Sequence, residues 1–348
     1  MRKNAETKKE KEEPLVGVVV LNWNGKEILR DCLNSFFEKT DYKNYKIVVV
    51  DNGSVDGSIE MLKKEFAGKI DIVANEENYG FPAGMNIGIR YLKNYYDPDY
   101  YMLLNNDTLI VQEDWLKNII EVGEKHKDIG ILSPVLINPD GSLQRIGEVL
   151  EKRPIKLILK ILSSRPENIS EEDLKGEYRE IDVLLGACVI VKKEIIENLG
   201  MLDERYSPYL VEDVEFSFRA KRNNYKVVTV LNSKLVHYLS HSFKTKVKPN
   251  PKKDIWKSYV VTRNTMLFSL EFFGIPQTLI FALPVLFMTN IFERKDKSKD
   301  LSLSNLEKRD YVAIRFANLL KAMKDAFTLR GKPRYKSEDF YKFEVIKP

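Results

Sequence analysis

Leu15-Val16-Gly17-Val18-Val19-Val20-Leu21-Asn22-Trp23-Asn24-Gly25 is the stretch on which the fold turns. An uncharged, valine-rich run gives way at once to a polar turn. A strand with no polar alternation is buried on both faces, as in a sheet covered by helices above and below. The next segments repeat the theme. Lys26 to Phe37 has helical spacing, with Ile28, Leu29, Cys32, Leu33 and Phe36 on one side. Tyr45 to Val50 is a second strand, closed by Asp51-Asn52-Gly53-Ser54, and Asp56 to Phe66 a helix. Ile70 to Val73 and Tyr100 to Leu104 are strands around a helix at Phe81 to Tyr95. Strand and helix alternating at short intervals predict an α/β fold with a mostly parallel central sheet and helices on both faces. Ligands of such sheets bind beyond the carboxyl ends of the strands, where the polar clusters 22–25, 51–57 and 105–108 fall.

After Val111 the pattern loosens. Gln112 to Lys127 reads as a helix, Ile129 to Leu132 as a strand, and Ile181 to Val191 as another. Asp213 to Asn223 is helical, and Val227 to Leu231 and Lys234 to Tyr238 are short strands. Residues 150–180, rich in Lys and Glu around an amphipathic Ile155 to Leu162, have the character of an insertion or lid. Composition shifts near Ser240. Phe272 to Phe292 is 21 residues without a charge, near the length of a membrane span, but Pro276, Gln277, Pro284 and Asn290 interrupt it. A half-inserted or interfacial segment fits this pattern, with a buried helix pair as the alternative. Arg294, Lys295, Lys297 and Lys299 follow and suit anionic headgroups, diluted by Glu293, Asp296 and Asp300. Tyr311 to Leu329 is a further amphipathic helix. The plan is a charged, solvated tail (1–14) without the apolar core of a signal peptide, an α/β domain (15–240), and a helical, membrane-associated region (241–348).

The charge balance, 56 Lys and Arg against 51 Asp and Glu for a net +5, fits acidic ligands or an anionic surface and is too small for nucleic acid. Two separate cysteines, Cys32 and Cys188, provide neither a disulfide framework nor zinc spacing, so a reducing cytosol is expected.

Four clusters could carry chemistry. Asp51 can accept from the N3–H of a uracil or thymine ring, or belong to a simple strand-to-helix turn with Asp56 as helix cap. Asn105-Asn106-Asp107 can place a carboxylate on Mg²⁺ or Mn²⁺, which would neutralise a departing diphosphate, or be only turn chemistry. Glu212-Asp213 opens a helix. It can complement the helix dipole or supply a general base for an attacking hydroxyl. His237 can bind a metal or a phosphate, or be structural.

Taken together, these segments resemble the family 2 glycosyltransferases of the GT-A fold, within them the rhamnosyltransferase-like group. The resemblance rests on Val18 to Gly25, Val50 to Ser54, Asn78-Tyr79-Gly80-Phe81 through Gly84-Met85-Asn86, and Leu103 to Thr108. Gly186-Ala187, Glu212-Asp213-Val214, His237, Tyr259 and Arg263-Asn264 complete it, over roughly residues 15–265. It implies an inverting, metal-dependent enzyme that moves a sugar from a UDP- or dTDP-linked donor to a hydroxyl of a glycan or lipid-linked acceptor. The implied setting is polysaccharide biosynthesis at the cytoplasmic, inner face of a membrane. Asn22, Trp23, Asp51, Asn52, Ser54, Asn78, Gly80, Asn86, Asn105 and Asn106 would form the donor site, with Asp51 and Trp23 at the base and Asn105 near the ribose. Asp107 and His237 would hold Mg²⁺ or Mn²⁺. Asp213 would be the base, with Gly186, Ala187 and Glu212 on the sugar and acceptor side. Where many relatives carry Asp-x-Asp, this chain has Asn105-Asn106-Asp107 and so a single carboxylate.

Four other classes fit less well. A dinucleotide-binding dehydrogenase needs Gly-x-Gly-x-x-Gly after the first strand, where Asn22-Trp23-Asn24-Gly25 stands, and no phosphate-binding Walker lysine motif occurs. A polyprenyl-phosphate sugar synthase would not need Asp213, because a phosphate acceptor is already ionised. A sugar-nucleotide scaffold without turnover would need neither Asp107 nor Asp213.

Overall fold

The computed structural model describes residues 13–147, 174–184, 186–238, 251–286, 305–336 and 340–347. The segment expected as an insertion lies mostly outside these residues, as do the lysines and arginine after Phe292. One sheet organises the molecule. Its parallel part is β1 (Val16–Asn22) between β2 (Tyr45–Asp51) and β4 (Tyr100–Asn105), with β3 (Asp71–Asn75) outside β2. The paired registers bring Asn22 level with Asp51 and Leu21 level with Asn105. Three polar strand ends therefore finish side by side.

Helices α1 (Lys26–Lys39), α2 (Ser58–Glu65) and α3 (Phe81–Tyr95) connect these strands. Two cores result. Leu29, Cys32, Leu33 and Phe36 of α1 pack with Val18 and Val20 on one side, while Met85, Ile89 and Leu92 of α3 pack with Val19 and Val50 on the other. Alternate valines of one strand feed opposite cores, which is why β1 has no polar alternation. Helix α3 lies very close to the sheet. A Cβ on Gly88 would sit 2.3 Å from Val19 Cγ1, and one on Gly84 2.5 Å from Leu21 Cδ1, so glycines one helical turn apart allow the approach.

Beyond β4 the sheet becomes mixed, a departure from the mostly parallel expectation. β9 (Cys188–Lys192) runs antiparallel between β4 and β6 (Ile129–Ile137), and β10 (Lys226–His237) runs parallel to β6. Helix α4 (Trp115–Lys125) covers this half. The expected single strand Ile181 to Val191 is two pieces, because β8 (Tyr178–Ile181) pairs with β10 while Cys188 onward enters the sheet beside β4. Conversely, the two strands expected at 227–238 are one. A bulge between Val230 and Lys234 interrupts the register, and Asn232 there turns its carbonyl to Gln112 and Asn118. β5 (Thr108–Ile110) pairs with the end of β10, and β7 (Leu143–Arg145) with the end of β6.

After α5 (Lys193–Leu199) and α6 (Glu212–Arg222) come two long helices, α7 (Pro251–Phe272) and α8 (Asn305–Arg330). They build a third core in which Met266, Leu267 and Phe268 meet Tyr206, Val211 and Val214. The uncharged run expected from Phe272 is broken. Gly274 has φ +82°, and helical turns through Thr278–Ala282 fold back with Ser269 Oγ 2.8 Å from Thr278 Oγ1. Among the described residues no helix is long and apolar enough to cross a membrane. The chain end also rejoins the sheet: β11 (Phe343–Ile346) pairs antiparallel with β3, in a region expected to be helical.

Candidate nucleotide-sugar site

The site starts from one amide. Asn22 is fully buried at the end of β1. Its Nδ2 donates to Asp51 Oδ2 at 2.8 Å and to Ser54 Oγ at 3.3 Å, and its Oδ1 accepts from Asn106 Nδ2 at 2.8 Å. One side chain thus links the ends of β2, β1 and β4. Asp51 is fully buried as well, and its Oδ1 accepts from the Ser54 amide at 2.8 Å. The carboxylate orders the turn from within, while Trp23 stands 57% exposed at the rim.

Asn52 is a second knot. Its Nδ2 donates to Asn78 Oδ1 at 3.1 Å and to the Gly80 carbonyl at 3.2 Å, and its Oδ1 accepts from Asn75 Nδ2 at 2.8 Å. Asn78 Oδ1 also accepts from the Gly80 amide at 2.8 Å. These bonds set the loop that enters α3. Gly80 has φ +89°, and a Cβ there would lie 2.9 Å from Pro208 Cα, so only glycine suits the position. Asn86, counted with the donor residues by resemblance, is buried and committed elsewhere. It donates to the Leu202 carbonyl at 2.8 Å and to Glu204 Oε1 at 3.0 Å, and accepts from the Leu202 amide at 3.0 Å, which bolts α3 to the 202–204 turn.

Asp107 and His237, which the resemblance assigns to a metal, stand side by side. β5 and β10 put His237 opposite Thr108, and His237 Nε2 lies 3.3 Å from Asp107 Oδ1, each side chain 13% exposed. Gln144, which sequence reasoning passed over, orients the ring. Its Nε2 donates to the His237 carbonyl at 2.8 Å, so its Oε1, 2.9 Å from Nδ1, must be the acceptor. Nδ1 therefore carries the proton, and in the neutral ring Nε2 presents a lone pair to Asp107. Two electron-pair donors this close are comfortable only with a proton or a metal ion between them. Two ligands at right angles on an octahedral ion at ~2.1 Å lie about 3 Å apart, so the pair fits Mg²⁺ or Mn²⁺. Among the described residues no third His, Cys, Asp or Glu joins them. Asn105 Oδ1, two residues before Asp107, is buried without a hydrogen-bond partner.

The two acids that open α6 have different surroundings. Glu212 is buried, Phe81, Leu103, Leu184, Val189, Leu202 and Phe216 line the space that it shares with Asp213, and its Oε2 has no hydrogen-bond partner. Burial, reinforced by the Asp213 charge, pushes its carboxyl well above the usual range. Asp213 is more exposed, accepts from the Val214 amide at 2.8 Å, and faces Gly186, whose added Cβ would lie 3.5 Å from Asp213 Oδ2. Ala187 is buried, and its carbonyl accepts from the Asn105 amide at 2.9 Å. The Gly186-Ala187 pair therefore bridges the end of β4 and the start of α6. The thiols take no part: burial pushes Cys32 up to about 12 and raises Cys188 further.

The family model for glycosyl transferase family 2 matches residues 17–200, just over half of the chain. The chain is 24% identical over 256 residues to the O-antigen biosynthesis protein RfbC of Myxococcus xanthus, a match covering 72% of this chain and 19% of that protein. It is 21% identical over 213 residues to the N-acetylglucosaminyl-diphospho-decaprenol L-rhamnosyltransferase of Mycobacterium tuberculosis, covering 56% of this chain and 67% of that enzyme. The chain thus spans about a fifth of the first relative's length. Its fold matches the crystal structure of GalNAc-T7 with UDP, GalNAc and Mn²⁺ at a TM-score of 0.57 and 15% identity, over 90% of this chain and 57% of that one. The architecture is GT-A-like, with a mixed central sheet.

Because Gln144 sets the ring that faces Asp107, Gln144→Ala should weaken Mn²⁺ binding about 10–100-fold, the usual cost of losing a partner behind a metal-binding histidine. Calorimetric titration of Mn²⁺ in the presence of UDP checks this, and unchanged affinity would remove the role.

Proposed function

The chain belongs to glycosyl transferase family 2, and from that premise we propose an inverting transferase that moves a sugar from a UDP- or dTDP-linked donor to an acceptor hydroxyl. One observation carries the reading: Asp107 and His237 converge beside Asn105 and Asn106, while Asp213 stands on the other side of the Gly186-Ala187 bridge. The site can therefore hold a diphosphate at one end and an acceptor at the other. Asp107 and His237 would hold Mg²⁺ or Mn²⁺, which when bound offsets the charge of the departing diphosphate. Asn105, with its unpartnered oxygen, is suited to a ribose hydroxyl. UDP and Mn²⁺ in the GalNAc-T7 structure support this donor and cofactor class.

The chemistry is a single displacement. The acceptor oxygen bonds to the anomeric carbon from the face opposite the diphosphate, and its proton passes to Asp213. The bond from the anomeric carbon to the phosphate oxygen breaks, and the nucleoside diphosphate leaves with the electron pair. Because the acceptor oxygen displaces the diphosphate directly from the opposite face, the anomeric configuration inverts. Glu212 is buried among apolar side chains, whereas Asp213 is more exposed and so better placed to meet an acceptor hydroxyl.

The acceptor of this proposal is a glycan or lipid-linked sugar met at the cytoplasmic face of a membrane. The mycobacterial relative's name, with its diphospho-decaprenol, supports a lipid-linked class. Exposed apolar side chains support membrane contact. Ile275, Leu279 and Ile280 project from the broken segment, and Phe316, Leu320 and Phe327 share one stripe of α8. Lys321 and Lys324 are exposed on the same helix.

The donor class is tested by nucleoside diphosphate release from UDP-glucose, UDP-N-acetylglucosamine, dTDP-rhamnose and GDP-mannose with Mn²⁺. On the best donor, Asp213→Asn should cut transfer about 10²–10⁴-fold and leave donor binding within a few-fold. Normal transfer by this variant would exclude the base and favour a phosphate acceptor. The intact protein should also float with anionic liposomes at low salt, where basic contributions are strongest. Failure to float would assign the apolar stripe to another surface.

A further inference from the structure

Each carbonyl from Tyr206 to Leu210 is held by a donor from another segment. Asn264 Nδ2 donates to those of Tyr206 at 2.8 Å, Tyr209 at 3.1 Å and Leu210 at 2.7 Å. The Arg263 guanidinium donates to the Ser207 carbonyl, and the Phe81 amide to that of Pro208 at 2.6 Å. Arg263 also locks its neighbour: its Nε and Nη2 donate to Asn264 Oδ1 at 2.9 and 2.7 Å, so the amide has only one orientation. Asn264 is fully buried in α7.

The loop needs such a hold. Leu210 and Val211 have φ +76° and +77°, a region that side chains rarely enter and a β-branched residue almost never does. Val211 borders the first turn of α6, and its carbonyl accepts from the Glu215 amide at 2.8 Å. Asp213 is therefore two residues past a strained backbone whose relaxed form would turn that first turn elsewhere. The same loop touches the other end of the site, since Pro208 packs on Gly80 and pairs with Phe81 at the start of α3.

We propose that Arg263 and Asn264 are positioning residues for transfer: from α7 they hold the 206–211 loop in its strained form and so aim Asp213 at the Gly186 side of the site. Helix α7 is on this account part of the catalytic apparatus, whatever its relation to a membrane. The proposal rests on Asp213 as the base.

The test compares Asn264→Ala with Ser269→Ala, which removes a different buried hydrogen bond of α7, to Thr278. Both are assayed well below their melting midpoints with the panel donor that releases nucleoside diphosphate fastest. Asn264→Ala should raise hydrogen exchange in peptides spanning 206–214 and lower kcat about 10–100-fold, with donor KM changed less than about threefold. Ser269→Ala should leave kcat and that exchange unchanged even where its melting midpoint falls as far. Arg263→Lys, which keeps charge but loses the fork onto Asn264, should fall between wild type and Asn264→Ala. Should Asn264→Ala fail to fold, Asn264→Asp keeps the shape, sets an oxygen against three carbonyls, and should show the same split. A kcat within about threefold of wild type, or loss in both α7 variants in step with stability, overturns the proposal. The two readings fail separately. Normal transfer by Asp213→Asn removes the base and this proposal with it, whereas normal transfer by Asn264→Ala with Asp213→Asn inactive removes only the positioning role.

Discussion

A single buried amide, that of Asn22, sets the rest of the site. An asparagine side chain out of water must satisfy both ends, and here it does so by tying Asp51 and Ser54 on one side to Asn106 on the other. That requirement fixes the two turns that follow β2 and β4 relative to β1. The second turn then delivers Asp107 to His237, and the Asn105 amide pairs with Ala187. The apolar strands bring three chain ends together, and the amide decides how their turns are arranged.

Environment separates residues that look alike in the sequence. Glu212 and Asp213 are neighbouring acids, yet one is enclosed by apolar side chains and the other looks across at Gly186. Desolvation raises the carboxyl of the first, and the more open second is the proposed proton acceptor. Asn52 and Asn86 are both buried asparagines near the donor loop, but one shapes that loop while the other anchors α3 to the turn before Glu204. Glu204 in turn takes the Lys336 amide and the Tyr341 hydroxyl, so the C-terminal segment is tied to the same scaffold.

Much of this was legible beforehand. The alternation from Leu15 to Leu104 and the four polar clusters could be read because apolar runs and turn residues report local geometry directly. The rest depends on long-range pairing. Gln144 reaches His237 across 93 positions from a three-residue strand, too short to register as a pattern. Strand β11 is recognisable only by its partner β3. The mixed order beyond β4 arises because Cys188 to Lys192 enters antiparallel between two strands, which an apolar run alone does not reveal. The sequence sets Glu212 beside Asp213 with no local ground for choosing between them, and the difference in burial supplies one.

On the proposed function, the turn after β4 and the end of β10 form one cation site for a nucleotide diphosphate. Pulsed electron paramagnetic resonance of the Mn²⁺–UDP complex tests it most directly, because a bound imidazole imprints nitrogen modulation on the manganese signal. The expected result is nitrogen modulation in the wild type that disappears in His237→Ala, with Mn²⁺ binding lost in Asp107→Ala. Mn²⁺ held with UDP but without any nitrogen coupling, or binding indifferent to Asp107, would contradict the account.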